Sequence, residues 1–204
     1  MSVLNIAVVD FETTYCKKDG LSATPMGYSN YAEATDAYLV SVVSPDLGIN
    51  FVGHPKDFDP TQLNGVTLVS HNASFDIAIA QSLMDKGIWP DFFPGAWKCS
   101  ADLCLYNGLP RALGLSAKEL FNTTLDKSIR DNMDGKTWAD VVEEGNEDEL
   151  RNYALEDSVV ALNVWNRLSP KWPEHEQAAS NLNIMMGMRG ICINTELLDG
   201  YIES

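Results

Sequence analysis

The run Leu4-Asn5-Ile6-Ala7-Val8-Val9 ends in two carboxylates one residue apart, Asp10 and Glu12, within Val8-Val9-Asp10-Phe11-Glu12-Thr13-Thr14. A short apolar run rich in Val and Ile reads as a buried strand. On an extended strand, residues i and i+2 share a face. Asp10 and Glu12 therefore converge on one spot at the strand's end, with Phe11 turned the other way. Two carboxylates that close repel each other and resist ionising together. A divalent cation removes the penalty, and hard carboxylate oxygens suit Mg²⁺ or Mn²⁺. A solvated acidic turn after a core strand is the other reading of an isolated D-x-E, so the decision rests on the remainder of the chain.

The next stretch, Tyr15 to Asp36, is polar and carries Gly20, Pro25 and Gly27, and it reads as a loop or insertion. Ala37–Val43 and Ile49–Gly53 form an expected hairpin around Pro45-Asp46 and Gly48. Thr67–Ser70 and Ala96–Cys99 read as two further strands. Ser74–Lys86 is a helix closed by Gly87. Short helices are expected near 101–106, 116–121 and 137–143. The strongest helix spans Glu147–Leu168, with Leu150, Ala154, Leu155, Val159, Leu162 and Trp165 at helical spacing. A hairpin followed by alternating strands and helices implies an α/β fold with a mixed sheet, an antiparallel hairpin plus parallel strands, flanked by helices. From Lys171-Trp172-Pro173 the texture changes to a linker, then a helix over 174–188, then Arg189-Gly190 turning into Ile191-Cys192-Ile193-Asn194.

Two more acidic positions match the first pair. Asn72-Ala73-Ser74-Phe75-Asp76 follows the fourth strand, and Asp76 falls in the first turn of the next helix. A favourable charge on the helix dipole would also explain Asp76, and a turn or cap role would explain Asn72. Tyr153 and Asp157 are i and i+4 on the strongest helix and share a face bordering the buried one. An acid there is awkward unless a cation meets it, although a surface Tyr–Asp pair has the same spacing. Taken together, D-x-E, N-x-x-F-D and Y-x-x-x-D bring four acids from three segments, a cage for two hard cations. The combination is far more specific than its parts.

In these motifs the sequence resembles the DnaQ-like 3′→5′ exonucleases, in the subgroup whose third motif carries a tyrosine. Within it the chain looks most like the proofreading domain of family A DNA polymerases, particularly those of bacteriophages. The resemblance covers residues 4–168. It implies a ribonuclease H-like fold and two-metal hydrolysis of phosphodiesters, releasing 5′-mononucleotides from a 3′ end. It assigns Asp10, Glu12, Asp76 and Asp157 to two divalent cations, Mg²⁺ or Mn²⁺, and Tyr153 to orienting the attacking water. It places Asn72, Phe75 and the backbone of Thr13 beside the terminal nucleotides. The tail, Met188 to Asn194, is similar to the start of the polymerase region of family A enzymes. The implied organisation is an exonuclease domain over 1–170 and, over 171–204, a linker with the beginning of a polymerase-like region. The implied partners are a single-stranded or frayed 3′ end of DNA and a polymerase, in cis or as a separate subunit. The implied setting is the cytoplasm of a bacterial or phage-infected cell.

Fourteen basic against twenty-nine acidic residues give a net charge of −15. That is a poor balance for holding a polyanion by charge alone, so metals or a basic partner must supply positive charge. The four cysteines, Cys16, Cys99, Cys104 and Cys192, have no zinc spacing and suit a reducing compartment. No apolar stretch approaches the ~20 residues that span a membrane. Gly135-Lys136-Thr137 lacks the upstream glycine of a phosphate-binding loop, Arg130 standing in its place, and no strand precedes it. His71 reads as a structural strand-end residue, and His54 and His175 as surface or turn residues. Two rivals remain: an RNA-trimming exonuclease of the ribonuclease D type, and an inactive docking or single-strand-binding module of a replication complex.

Overall fold

The computed structural model describes residues 5–190 and 194–202. Ile191, Cys192 and Ile193 of the polymerase-like tail motif lie outside the described residues. Five strands form one mixed sheet in the order β3-β2-β1-β4-β5: β1 (Ile6–Thr13), β2 (Ala37–Ser44), β3 (Ile49–Gly53), β4 (Thr67–Ser70) and β5 (Ala96–Cys99). β1 pairs antiparallel with β2 and parallel with β4, so the sheet changes sense at its central strand. The expected hairpin is β2–β3, and β5 runs parallel to β4.

The helices are α1 (Ala23–Met26), α2 (Tyr28–Ala34), α3 (Ala73–Asp85), α4 (Ser100–Tyr106), α5 (Leu113–Phe121), α6 (Ser128–Asp131), α7 (Trp138–Glu144), α8 (Glu147–Leu168), α9 (Glu174–Arg189) and α10 (Thr195–Ile202). Alternation along β1 divides the core. Ala7, Val9 and Phe11 pack with Val40, Val42, Ile79, Leu83 and Trp89 on the α2–α3 side. Val8 packs with Val69, Leu103, Ala161 and Val164 on the side of α4, α5 and α8. By the same period of two, Asp10 and Glu12 point to the α8 side. Every residue of β2 is buried, because β1 and β3 flank it and α8 crosses its face.

The acids lie at the end of β1 as expected, Glu12 one residue before it closes at Thr13, with a register shift between Glu12 and Thr13. Two expectations need correction. The stretch taken as a loop before β2 contains α1 and α2, whose Tyr31 and Ala32 enter the core. On α8 the buried face is rotated from the apolar pattern: Val159 is exposed, whereas Ser158 is fully buried. The reason is polar. The Ser158 hydroxyl meets that of Ser41 on β2, and Ser41 also donates to the Ala154 carbonyl at 3.0 Å. A buried hydroxyl stays inside only where its hydrogen bond is satisfied.

Candidate active site

Parallel sheets gather ligand sites beyond the carboxyl ends of their strands. Here the C-terminal ends of β1 and β4 open on a cleft of about 570 Å³. Asp10, Glu12 and Thr13 line it from β1, Asn72 and Phe75 from the β4–α3 junction, and Tyr153 and Asp157 from α8. Seven of the eight residues singled out in the sequence therefore line one cleft. The eighth, Asp76, is 1% exposed and sits behind the cleft surface in the first turn of α3, close enough to Asp10 to feel its charge. A first-turn surface charge does not describe it.

Three of the four acids are held above the ordinary carboxyl range. Asp10 is pushed up to about 7, by burial and then by the charge of Asp157. Glu12 is pushed up to about 8, by burial and then by Asp10. Burial, reinforced by Asp10, also holds Asp76 well above the ordinary carboxyl range, and the backbone amides of Phe11 and of Asp76 itself offset part of this. Tyr153 donates to Asp157 Oδ2 at 2.9 Å, and its own ionisation is driven above the usual phenol range by burial and by Glu12.

Two buried oxygens here have no hydrogen-bond partner, Asp76 Oδ1 and Asp157 Oδ1. Buried carboxylate oxygens without partners are costly. A divalent cation would be the fitting partner, since it needs carboxylate oxygens and would relieve the mutual repulsion. Among the described residues no three His, Cys, Asp or Glu side chains are already set to hold an ion, so the acids face one another without closing a finished coordination shell.

The structure adds residues that the sequence reading missed. Lys127 Nζ lies 3.7 Å from Asp157 Oδ2, and Arg130 lines the same cleft. Both belong to a segment stitched to the chain just after β1. Tyr15 donates to the Arg130 carbonyl at 3.0 Å, Gly135 N–H donates to the Tyr15 carbonyl at 2.7 Å, and Lys17 N–H donates to Asp134 at 3.0 Å. Two cations from an otherwise acidic chain thus face the acids. Tyr28 and Tyr31 of α2 pack around Phe75, at ring distances of 6.1 and 6.0 Å. Tyr31 donates to the Thr14 carbonyl at 2.9 Å, so its oxygen accepts from Thr13 Oγ1 at 2.7 Å. The Thr13 side chain is therefore committed, and only its backbone is open to a ligand role.

Other expectations are settled by contacts. His71 sits at the end of β4 with Nε2 donating to the Arg111 carbonyl at 2.7 Å and Nδ1 3.0 Å from Ser100 Oγ; burial lowers its proton affinity. His54 caps a 3₁₀ turn through Nδ1, and His175 pairs with Glu176 at the surface. Thr137 opens α7 in a capping box with Asp140, and Lys136 pairs with Glu144 at 2.7 Å, so Gly135-Lys136-Thr137 is a helix start.

No protein-family model matches the chain, and a search of curated proteins returns no relative. Solved structures do match. NrnC of Brucella melitensis, determined with bound Mg²⁺, shares 14% identity over 98% of this chain and 89% of its own, at a TM-score of 0.55. A nuclease in its apo form shares 13% identity over 91% of this chain and 82% of its own, at 0.56. The catalytic core of RRP6 from Trypanosoma brucei shares 16% over 90% of this chain but only 44% of its own, at 0.54. With the mixed sheet and flanking helices, these define a ribonuclease H-like fold. Among the described residues no helix is long and apolar enough to cross a membrane.

Proposed function

We propose that this chain is a metal-dependent 3′→5′ exonuclease that hydrolyses DNA from a free 3′ end to 5′-mononucleotides. The observation that carries the reading is the convergence of Asp10, Glu12, Asp76 and Asp157, two of them with unpartnered oxygens, beside Tyr153. Asp10, Glu12, Asp76 and Asp157 would hold two divalent cations, Mg²⁺ or Mn²⁺. Bound there, the cations would neutralise the phosphodiester's charge and lower the pKa of the attacking water. Tyr153 stays protonated at neutral pH, so it directs the water by a hydrogen bond and does not act as a base. Phe75, with Tyr28 and Tyr31 behind it, offers a stacking surface that tolerates any base. A frayed or mismatched end costs least to draw from its stack and is the favoured substrate.

The finer reading is proofreading for a family A DNA polymerase, supplied in cis or in trans, in a bacterial or phage-infected cell. It rests on the resemblance of residues 188–194 to the start of a polymerase region. In this reading residues 1–170 are the nuclease and 171–204 lead towards the polymerase. Consistent with a firm join, α9 packs on α3 and β5, burying Ile184 against Ala73, Cys99 and Ala101.

The test is a time course on a 5′-labelled primer with a mismatched 3′ end, with Mg²⁺, Mn²⁺ or chelator, beside Asp10→Ala. The expected result is a one-nucleotide ladder receding from the 3′ end, dependent on metal and absent in the variant. A matching RNA primer separates this from RNA trimming. No cleavage of either strand under any condition would leave the docking-module reading.

A further inference from the structure

The Asn72 backbone is left-handed, with φ 92°, and its side chain does not cap α3. Its amide is held from both sides. Nδ2 donates to the Tyr28 hydroxyl at 2.9 Å, and Oδ1 accepts from Arg111 Nη2 at 3.2 Å. An amide offers two donors and two acceptor positions, so these bonds leave one of each, and Asn72 lines the cleft. Arg111 is fixed in turn: Nη1 donates to Asp102 Oδ1 at 2.7 Å, and its carbonyl takes the His71 bond. The second Asp102 oxygen accepts from Ser180 of α9 at 2.7 Å. A continuous chain, Ser180–Asp102–Arg111–Asn72, thus runs from α9 to the cleft wall.

We propose that Asp102 is a positioning residue for Asn72: through Arg111 it sets which face of the amide meets a nucleotide, and through Ser180 it makes that setting depend on the seating of α9. A planar guanidinium with two of its donors engaged transmits orientation better than a flexible ammonium would. Neither Asp102 nor Ser180 touches the cleft, so their influence on substrate must pass through Asn72. The substrate rests on the exonuclease reading above; the linkage between the side chains does not.

The experiment compares Asp102→Ala, Asp102→Asn, Ser180→Ala, Asn72→Ala and the Asn72→Ala/Asp102→Ala double variant on a single-stranded DNA oligonucleotide. Asp102→Ala is expected to raise KM about five- to tenfold, the worth of one good hydrogen bond, with the loss falling on KM in preference to kcat. Asp102→Asn, whose amide oxygen can still accept from Arg111 while its NH2 donates to the Ser180 hydroxyl, should recover most of it. In the Asn72→Ala background Asp102→Ala should add nothing. In metal-free protein the Asn72 side-chain amide resonances, assigned by their loss in Asn72→Ala, should move in Asp102→Ala and, by less, in Ser180→Ala. Additive KM effects, or an Asn72 amide that does not move, would overturn the proposal. Should Asp102→Ala unfold, Arg111→Ala, a side chain 48% exposed, carries the same expectations. A wild-type chain that cleaves nothing would defeat the exonuclease reading alone, and the amide resonances would still decide the linkage.

Discussion

Tyr153 and Asp157 lie one turn apart on α8, and the phenol donates to Asp157 Oδ2 at 2.9 Å while Oδ1 of the same carboxylate has no partner. One oxygen is thus held and oriented, and the other is unsatisfied. Tyr153→Phe removes the donor and keeps the ring. Cleavage should fall about 10- to 100-fold, the worth of one hydrogen bond to a charged partner, while metal affinity is retained. Single-turnover rates beside a Mn²⁺ titration check both halves; wild-type turnover would remove Tyr153 from the reaction.

The raised carboxyls predict a pH dependence with a definite sign. Asp10 near about 7 and Glu12 near about 8 bind protons in the folded state that an unfolded chain releases near pH 4. Between about pH 4 and 8 the folded state therefore holds more protons, and the stability of metal-free protein falls as pH rises through that window. Thermal unfolding in chelator should show the decline, and saturating Mg²⁺ or Mn²⁺ should reverse it at pH 8. Asp10→Asn should raise the metal-free stability at pH 8 by about 1–2 kcal/mol while abolishing cleavage. A metal-free midpoint that rises with pH would contradict the assigned shifts.

Lys127 and Arg130 bring positive charge to a cleft in a chain of net charge −15. If Lys127 exchanges Asp157 for a phosphate when substrate binds, its loss removes one phosphate contact. Lys127→Ala should weaken single-strand binding and flatten the slope of log affinity against log salt by about 0.7. Fluorescence anisotropy at several salt concentrations, with Ca²⁺ replacing the catalytic metal, measures the slope; an unchanged slope places Lys127 outside the binding site.

The seating of α8 rests on Ser158 against Ser41 and the Ala154 carbonyl. Ser41→Ala leaves a buried hydroxyl and a carbonyl short of a partner and should cost about 1–3 kcal/mol. Because Tyr153 and Asp157 ride on the same helix, a small loss of activity should accompany it. Chemical denaturation beside the rate assay separates the two effects.

The acidic pattern was legible because its geometry is local. Alternation along a strand put Asp10 and Glu12 on one face, and helical spacing paired Tyr153 with Asp157, whatever the rest of the chain did. The strands were legible for the same reason: the runs over 49–53 and 67–70 needed only β-branched content and turn residues at their ends. What escaped was set by distant contacts. Ser158 faces inward because Ser41 waits for it, 117 residues away. Lys127 and Arg130 reach the acids because backbone bonds at Tyr15 and Lys17 pin their segment there, and nothing near them in sequence says so. α1 and α2 are short; α2 is justified by the burial of Tyr31 and Ala32, and α1 by Ala23 and Met26 packing against the same core.

The four acids come from positions 10, 12, 76 and 157, and the last arrives on a helix that follows the whole sheet in the chain. During synthesis, therefore, a nascent polypeptide can complete all five strands and still lack Asp157, Tyr153 and the helical wall that carries them. On the hydrolytic reading, a partly made chain lacks a complete set of acids, and competence waits for the late step in which α8 leaves the ribosome and docks.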